Sequence, residues 1–125
     1  MMHTRKLIEK IVETDFAQLP AETLRESKRS FLNWLGVAIG GSRYPSGEKA
    51  LKAVRLLARE PQATVLGRHV KVDLWSAALL NGISSHVFDF DDTLLETVLH
   101  PSAPVFPAIL AYAEQQRLSG KEVLS

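Results

Sequence analysis

Residues capable of chemistry are concentrated between positions 86 and 107, in the sequence HVFDFDDTLLETVLHPSAPVFP. This stretch contains Asp89, Asp91 and Asp92, three carboxylates within four positions. Carboxylates this close repel one another at neutral pH, so they need a cation, hydrogen-bond donors or open water around them. The same stretch holds the other candidate groups, which are the imidazoles of His86 and His100 and the hydroxyls of Thr93, Thr97 and Ser102.

The composition sets the class of protein. A chain of 125 residues suits one domain rather than two. Its 46% apolar and 23% charged residues are typical of a globular protein. A net charge of +1 argues against a dedicated nucleic-acid binder. The absence of cysteine from the sequence excludes a disulfide framework, a thiolate zinc site and a cysteine nucleophile.

Charge is distributed unevenly along the chain. Residues 1–60 carry 11 Lys/Arg and 7 Asp/Glu, a net +4, whereas residues 61–125 carry 4 and 7, a net −3. The basic half can help to attract an anionic ligand. The N-terminus lacks the apolar core of a signal peptide, and the longest apolar stretch is about half the length of a membrane span. We therefore expect a cytoplasmic protein without a membrane segment.

Hydrophobic periodicity predicts two helices in the first third of the chain. The first begins near Thr4 and ends between Asp15 and Leu19, and the second runs from Pro20 to a stop at Gly40-Gly41-Ser42. Gly36 and Gly40 are expected to let another helix backbone approach closely. Leu7, Ile8, Ile11 and Val12 form the predicted apolar stripe of the first helix, and Leu24, Phe31, Trp34, Leu35 and Ala38 form that of the second. Trp34 and Trp75 are both expected in the core.

The remaining chain is predicted to be mostly helical, so the fold class is all-α with one possible β-hairpin. The YPSG sequence from Tyr44 predicts a turn. A third amphipathic helix follows that turn and ends near Arg59, with an apolar face of Ala50, Leu51, Val54, Leu57 and Ala58. A hairpin pairs 63–66 with 69–72, and a fourth helix runs from Leu74 to about Val87 with Asp73 as its N-cap. The fifth helix is expected from Val105 to about Leu118 with Gly120 as its cap, and a sixth begins at 121–125. The fourth helix would thus place His86 and the acidic cluster at its C-terminal end, which is the negative end of the helix dipole. Carboxylates are unfavourable there unless another group compensates for their charge, so a functional role is indicated.

One interpretation of the acidic stretch is a phosphatase motif. In DFDDT, Asp89, Asp91 and Thr93 match the nucleophile motif of haloacid dehalogenase-like phosphatases, in which the first Asp attacks phosphorus and Mg²⁺ screens the carboxylates. That motif must follow a buried parallel strand in a doubly wound fold. The preceding LWSAALLNGISSHVF instead favours a helix.

Three longer blocks carry a stronger resemblance. FLNWLGVAIGGS at 31–42, NGISSHVFDFDDT at 81–93 and HPSAPVFPAILAYAE at 100–114 resemble the MmgE/PrpD family, which includes 2-methylcitrate dehydratases and cis-aconitate decarboxylases. The resemblance implies that residues 1–125 are the N-terminal part of the family's large helical domain, without its smaller lid domain and C-terminal part. It also implies an enzyme that uses no metal or other cofactor.

The resemblance further implies a set of site residues. His100, Asp89 and Thr93 are the expected catalytic residues, and Ser102, Asp91 and His86 the expected substrate-binding residues. A histidine suits acid/base work near neutral pH, a carboxylate can orient it, and a hydroxyl can donate a hydrogen bond. Two structural alternatives stay open, with Asp91 and Asp92 holding the loop and His86 interacting with carbonyl groups at the helix end. His3 and His69 are expected at the surface.

The sequence thus predicts the N-terminal portion of a lyase acting on a small polycarboxylate, with little or no catalysis by these 125 residues alone. The alternatives are the Mg²⁺-dependent phosphatase and a non-catalytic helical module whose exposed apolar faces pair with each other or with a partner. We expect a homo-oligomer that binds neither nucleic acid nor membrane.

Overall fold

The chain is mostly helical, as the periodicity predicts. The computed structural model describes residues 2–57 and 59–124, and within them it contains six α-helices and one two-stranded antiparallel sheet. None of these helices combines the length and apolar character needed to span a membrane. In chain order the elements are α1 (Met2–Glu13), a 3₁₀ turn (Phe16–Gln18), α2 (Ala21–Gly41), α3 (Pro45–Arg55), β1 (Ala63–Val65), β2 (Val70–Val72), α4 (Leu74–Ser85), α5 (Ser102–Gln116) and α6 (Gly120–Leu124).

Helix α4 lies at the centre of the packing, in contact with α2, α3, α5 and both strands. Asp73 caps it as predicted, because its carboxylate accepts hydrogen bonds from the Ser76 N–H at 3.1 Å and the Ser76 hydroxyl at 2.6 Å. Its small side chains allow close packing on several sides. The core beside α4 consists of one cluster of Leu51, Val65 and Leu80 and a second of Ala63, Ala77 and Ala111.

The predicted hairpin is present, and two helices hold its first strand. Asn81 of α4 accepts from the Leu66 N–H and donates to the Thr64 carbonyl, both at 2.9 Å. Glu114 of α5 accepts from the Thr64 N–H at 2.9 Å and its hydroxyl at 2.7 Å. The outer edge of β1 is therefore satisfied by side chains rather than by a third strand.

Glycine serves a close helix approach, but not at the predicted positions. A Cβ on Gly36 would meet nothing within 4 Å, and one on Gly40 would meet only the Phe88 ring at 3.7 Å. Gly41 is the critical position, since a Cβ there would collide with the main-chain carbonyl of Ser84 on α4. The spacing identified the right helix and the wrong residues, because the contact depends on which side of α2 meets α4.

Three predicted helix ends are wrong. Helix α1 ends at Glu13 rather than between Asp15 and Leu19, because Asp15 caps a separate 3₁₀ turn there. Helix α3 ends at Arg55 instead of near Arg59, and Leu56 and Leu57 turn outward into solvent, with i→i+3 bonds tightening the last turn. Ala58 lies outside the described residues. Helix α5 is capped by Arg117 in the left-handed conformation, with φ of 56°, and not by Gly120, which begins α6. Ser125, at the end of the predicted sixth helix, also lies outside the described residues.

Two helix starts also differ from the prediction. Helix α3 begins at Pro45, inside the predicted YPSG turn, because proline suits the first position of a helix. Helix α5 is the second case. The helix begins at Ser102 rather than Val105, with Pro104 in its first turn and Pro107 inside it. Proline is tolerated in a first turn because the N–H groups there have no partner within the helix. Pro101 and Pro104 therefore mark the beginning of this helix and not a loop before it, whereas Pro107 lies in its interior.

Burial confirms one tryptophan prediction and contradicts the other. Trp34 is fully buried and packs against Phe31 and Phe106, with ring centroids 5.6 and 5.7 Å away. Trp75 is 75% exposed. The apolar stripe of α1 is also exposed in this chain, although its periodicity is that of a core helix. A periodic stripe shows which face is apolar and not whether a partner covers it.

Candidate active site

The acidic stretch forms a loop between the end of α4 and the start of α5. Helix α4 ends at Ser85, His86 follows as its C-cap, and the chain turns at Asp89, which has a left-handed φ of 57°. Aspartate tolerates this conformation better than most residues. The loop then returns to α5 near Ser102, so that both helix ends border the same small region.

His100 lies at the middle of this region, with 25% of its side chain exposed. Its Nδ1 atom is 3.4 Å from Oδ2 of Asp91 and 3.4 Å from Oγ1 of Thr93. Its Nε2 atom is 3.9 Å from Oδ1 of Asp89. The three residues expected to be catalytic, His100, Asp89 and Thr93, are therefore neighbours in space.

The three aspartates lie in different surroundings. The Asp89 side chain is 74% exposed, so water can solvate its charge. The Asp91 side chain has no exposed surface, and neither of its carboxylate oxygens has a hydrogen-bond partner among the described residues. Asp92 accepts a hydrogen bond from the Ser102 N–H at 3.1 Å. Oxygen atoms of Asp89 and Asp91 still lie within 4.8 Å of each other, with His100 close to both, whereas Asp92 has a partner of its own in the Ser102 N–H.

Asp92 therefore holds the loop, which confirms the structural alternative predicted for it. Its carboxylate satisfies an N–H group at the first turn of α5 and lies at the positive end of the helix dipole. Ser102 is buried, and its N–H is the group that Asp92 binds. A substrate contact by the Ser102 hydroxyl stays a prediction.

A short hairpin-like turn connects Thr93 to His100, which the sequence did not predict. The Leu94 N–H donates to the Leu99 carbonyl at 2.8 Å, and the two residues form an isolated antiparallel bridge. Val98 takes a left-handed φ of 53°, which strains a β-branched residue. The bridge brings Thr93 and His100 together although they are seven positions apart. Thr97 lies exposed in the turn.

An open groove of about 610 Å³ runs between α4 and α5 and ends at the two histidines. The rings of His86 and His100 are 6.0 Å apart at their centroids. The rest of the lining is apolar, and no lysine or arginine of the described residues contributes to it. The apolar lining consists of Ala78, Leu79, Gly82, Ile83, Ala103, Pro104, Pro107 and Ala108.

A candidate metal site lies in the same loop. His86, Asp89 and Asp91 can each offer one ligand atom, with a spread of up to 4.8 Å. Tetrahedral zinc with bonds of about 2.0–2.2 Å holds its ligand atoms about 3.3–3.6 Å apart. The cluster is more open than such a coordination shell, and we assign no metal to it.

The phosphatase alternative does not fit this loop. Its nucleophile motif requires a buried parallel strand directly before Asp89, whereas helix α4 and the His86 turn occupy that position. The strands within residues 2–57 and 59–124 form one antiparallel hairpin and not a doubly wound parallel sheet.

Fold and site together define a helical domain that presents a histidine between carboxylates beside an apolar groove. Residues 5–125 match the family described as the MmgE/PrpD N-terminal domain. The chain belongs to the MmgE/PrpD family.

Three relatives support this membership. The chain is 29% identical over 113 residues to a cis-aconitate decarboxylase-like protein, oryM, of Aspergillus oryzae. The matched region covers 90% of this chain and 23% of the relative. It is 34% identical over 92 residues to cis-aconitate decarboxylase of Mus musculus, covering 73% of this chain and 19% of the relative. The Homo sapiens cis-aconitate decarboxylase is 30% identical over 111 residues, covering 85% and 23%. The chain thus spans about a fifth to a quarter of the length of these relatives.

Proposed function

We propose that this chain is the N-terminal part of the helical domain of a lyase that acts on a small polycarboxylate. The observation that carries the proposal is the placement of His100 within 4 Å of Asp89, Asp91 and Thr93, at the end of a groove that can admit a small molecule. The relatives named as cis-aconitate decarboxylases support a polycarboxylate substrate. Dehydration and decarboxylation both remain within this proposal.

His100 transfers the proton in the proposed reaction. Lyase chemistry beside a carboxylate requires a proton to leave or reach a carbon atom, and imidazole does this near neutral pH. Thr93 acts through the ring of His100, beside which its hydroxyl lies, and Asp89 orients the histidine or accepts from a substrate hydroxyl. His86, when protonated, can pair with a substrate carboxylate in the groove, since its ring lines one end of it.

The local charge supports the further proposal that these 125 residues alone have little or no activity. The site places Asp89 and Asp91 beside His100, and the groove lining includes no lysine or arginine of the described residues. A polycarboxylate brought there would meet net negative charge, which raises the energy of binding and of the transition state. We propose that cationic groups outside this chain complete the site in a protein that also has the family's lid domain and C-terminal part.

Activity of the complete protein tests this function. A protein that joins these residues to the family's lid domain and C-terminal part is assayed with cis-aconitate and with 2-methylcitrate. We expect His100→Ala to lower kcat by about 10²- to 10⁴-fold, the usual contribution of a positioned acid or base. His69→Ala is the matched control, because His69 is exposed in the hairpin turn, away from the groove. Full activity of His100→Ala would contradict the catalytic role, and turnover by the 125-residue chain would contradict its inactivity.

The expected homo-oligomer and the cytoplasmic location belong to this proposal as well. The exposed apolar stripe of α1 is the specific observation that favours association, and it equally supports the alternative of a helical binding module.

A further inference from the structure

Two oxygen atoms face Nδ1 of His100 from one side. These are Oδ2 of Asp91 and Oγ1 of Thr93, each 3.4 Å from the nitrogen. The Thr93 hydroxyl donates to the main-chain carbonyl of Asp91, also at 3.4 Å, so its lone pairs remain for the ring. An ionised carboxylate is an acceptor only. Both groups therefore favour a hydrogen atom on Nδ1.

Burial makes the Asp91 contact important. Its side chain is completely buried, and within residues 2–57 and 59–124 neither oxygen has a hydrogen-bond partner. Leaving a buried carboxylate without a donor costs more than leaving a neutral polar group without one. His100 is the described residue whose side chain lies within ion-pairing distance of Asp91. An N–H at Nδ1 is thus the available compensation for this carboxylate.

We infer that Asp91 is a positioning residue, which holds His100 as the Nδ1–H tautomer and leaves Nε2 unprotonated at the open side of the site. Asp91 was expected to bind substrate, but its complete burial places it behind the histidine instead. The hydrogen bond made by one ring nitrogen decides which tautomer is present. In serine proteases a buried aspartate acts on its histidine in this way.

This inference rests on the proposed function for its chemical consequence. The free lone pair of Nε2 takes a proton from the substrate, so that a C–H bond breaks, an N–H bond forms and the electron pair stays on the substrate carbon. The resulting imidazolium lies between Asp91 at Nδ1 and Asp89 at Nε2, and both carboxylates stabilise its charge. In the reverse direction the same N–H delivers the proton.

The tautomer can be measured without any activity. Long-range ¹H–¹⁵N correlation spectra of the ¹⁵N-labelled chain at about pH 8, where most imidazoles are neutral, distinguish Nδ1–H from Nε2–H rings. Among the four histidines, the signal of His100 is identified as the one lost in His100→Gln. We expect wild-type His100 to be mainly the Nδ1–H form, and Asp91→Asn to move it toward the Nε2–H form. Asp89→Asn is the matched control, since Asp89 faces the other nitrogen, and it should leave the Nδ1–H form dominant.

The wild-type spectrum alone can overturn the inference, so the test survives if Asp91→Asn does not fold. A dominant Nε2–H form in the wild type, or an unchanged tautomer in a folded Asp91→Asn, would refute it. Thr93→Val, which removes one acceptor and keeps the shape, should lower the Nδ1–H fraction less than Asp91→Asn does. An equal or larger effect would show that Thr93, and not Asp91, determines the tautomer.

The complete protein separates this inference from the proposed function. There, Asp91→Asn should lower kcat by about 10²- to 10⁴-fold, with KM changed by less than roughly threefold, as expected for a residue that acts through the histidine. If no polycarboxylate is turned over but the Nδ1–H form is found, the proposed function fails and the role of Asp91 stands. If the complete protein is active but its His100 is the Nε2–H form, the inferred role of Asp91 fails and the proposed function stands.

Discussion

Three aspartates that are almost adjacent in sequence perform three different tasks in the structure. Asp89 faces solvent, Asp91 is buried behind His100, and Asp92 caps α5. A fourth aspartate, Asp73, has a purely structural role as the N-cap of α4, and its surroundings shift its pKa. The hydrogen bond from the Ser76 hydroxyl is the main cause that holds the pKa of Asp73 below its usual value.

Replacement of Asp73 by alanine should destabilise the chain in a pH-dependent manner. The folded pKa is lowered, so the ionised cap contributes its stabilisation above the unfolded pKa and loses it as pH falls through the folded value. We expect Asp73→Ala to lower the free energy of unfolding by about 0.5–2 kcal/mol at neutral pH, and by less below about pH 3. Urea unfolding at both pH values measures this. Asp73→Asn, which retains an N-cap oxygen, should lower the free energy of unfolding less than Asp73→Ala does at neutral pH. An equal cost of Asp73→Ala at both pH values would contradict the role of the charge.

At the scale of elements, the site depends on how α2, α4 and α5 are packed. Helix α4 carries His86 at its C-terminal end, and α5 begins two residues after His100. The distance between the helix ends therefore sets the opening of the groove. The contact of α2 with α4 supports this arrangement from behind, through Gly41 and the carbonyl of Ser84.

Two glycines on α2 should respond to alanine with opposite signs. Gly41→Ala adds a Cβ that collides with the Ser84 carbonyl, so we expect a loss of about 1–3 kcal/mol in the free energy of unfolding. Gly36→Ala is the matched control on the same helix, with nothing within 4 Å, and it should stabilise by about 0.5–1 kcal/mol because alanine favours the helix. Denaturant titration of the two variants decides this. Similar effects of both substitutions would show that the close approach has no energetic importance.

At the scale of the whole molecule, the apolar surface of α1 stands out. Every side chain from His3 to Glu13 is exposed, and the four stripe residues are 55–79% accessible. Burial of one isoleucine side chain is worth about 1.5–3 kcal/mol. Covering this face with a second copy or another domain would therefore stabilise the protein, which is the physical basis of the predicted homo-oligomer.

Ile11→Gln should weaken self-association if this face forms the contact. We expect the dissociation constant of the wild-type oligomer to rise about tenfold or more, since each 1.4 kcal/mol corresponds to about a factor of ten. Sedimentation equilibrium over a range of concentrations measures it, with the exposed Lys10→Gln as a control outside the apolar stripe. A wild-type chain that is monomeric throughout, or an Ile11→Gln variant that associates as the wild type does, would count against pairing through α1.

Local sequence determined the features that arise within a few residues. The helical class, the hairpin, the Asp73 cap and the delivery of His86 and the acidic cluster by α4 follow from periodicity, capping residues and turn residues. The blocks at 31–42, 81–93 and 100–114 likewise carried the family, which the match over residues 5–125 established. Such signals are short-range, so they can be read without knowing how the elements pack.

Only the tertiary structure decided which residues face which partners. Periodicity could not tell that the stripe of α1 is exposed while that of α2 is buried at Trp34 and Ala38 and half-buried elsewhere, or that Gly41 and not Gly36 meets α4. Nor could the letters of DFDDT separate a solvated Asp89 from a buried Asp91, because burial and the distance to His100 arise from the loop returning between two helices. The sequence by itself determined which groups are available for chemistry, and packing alone decided the surroundings that give each group its role.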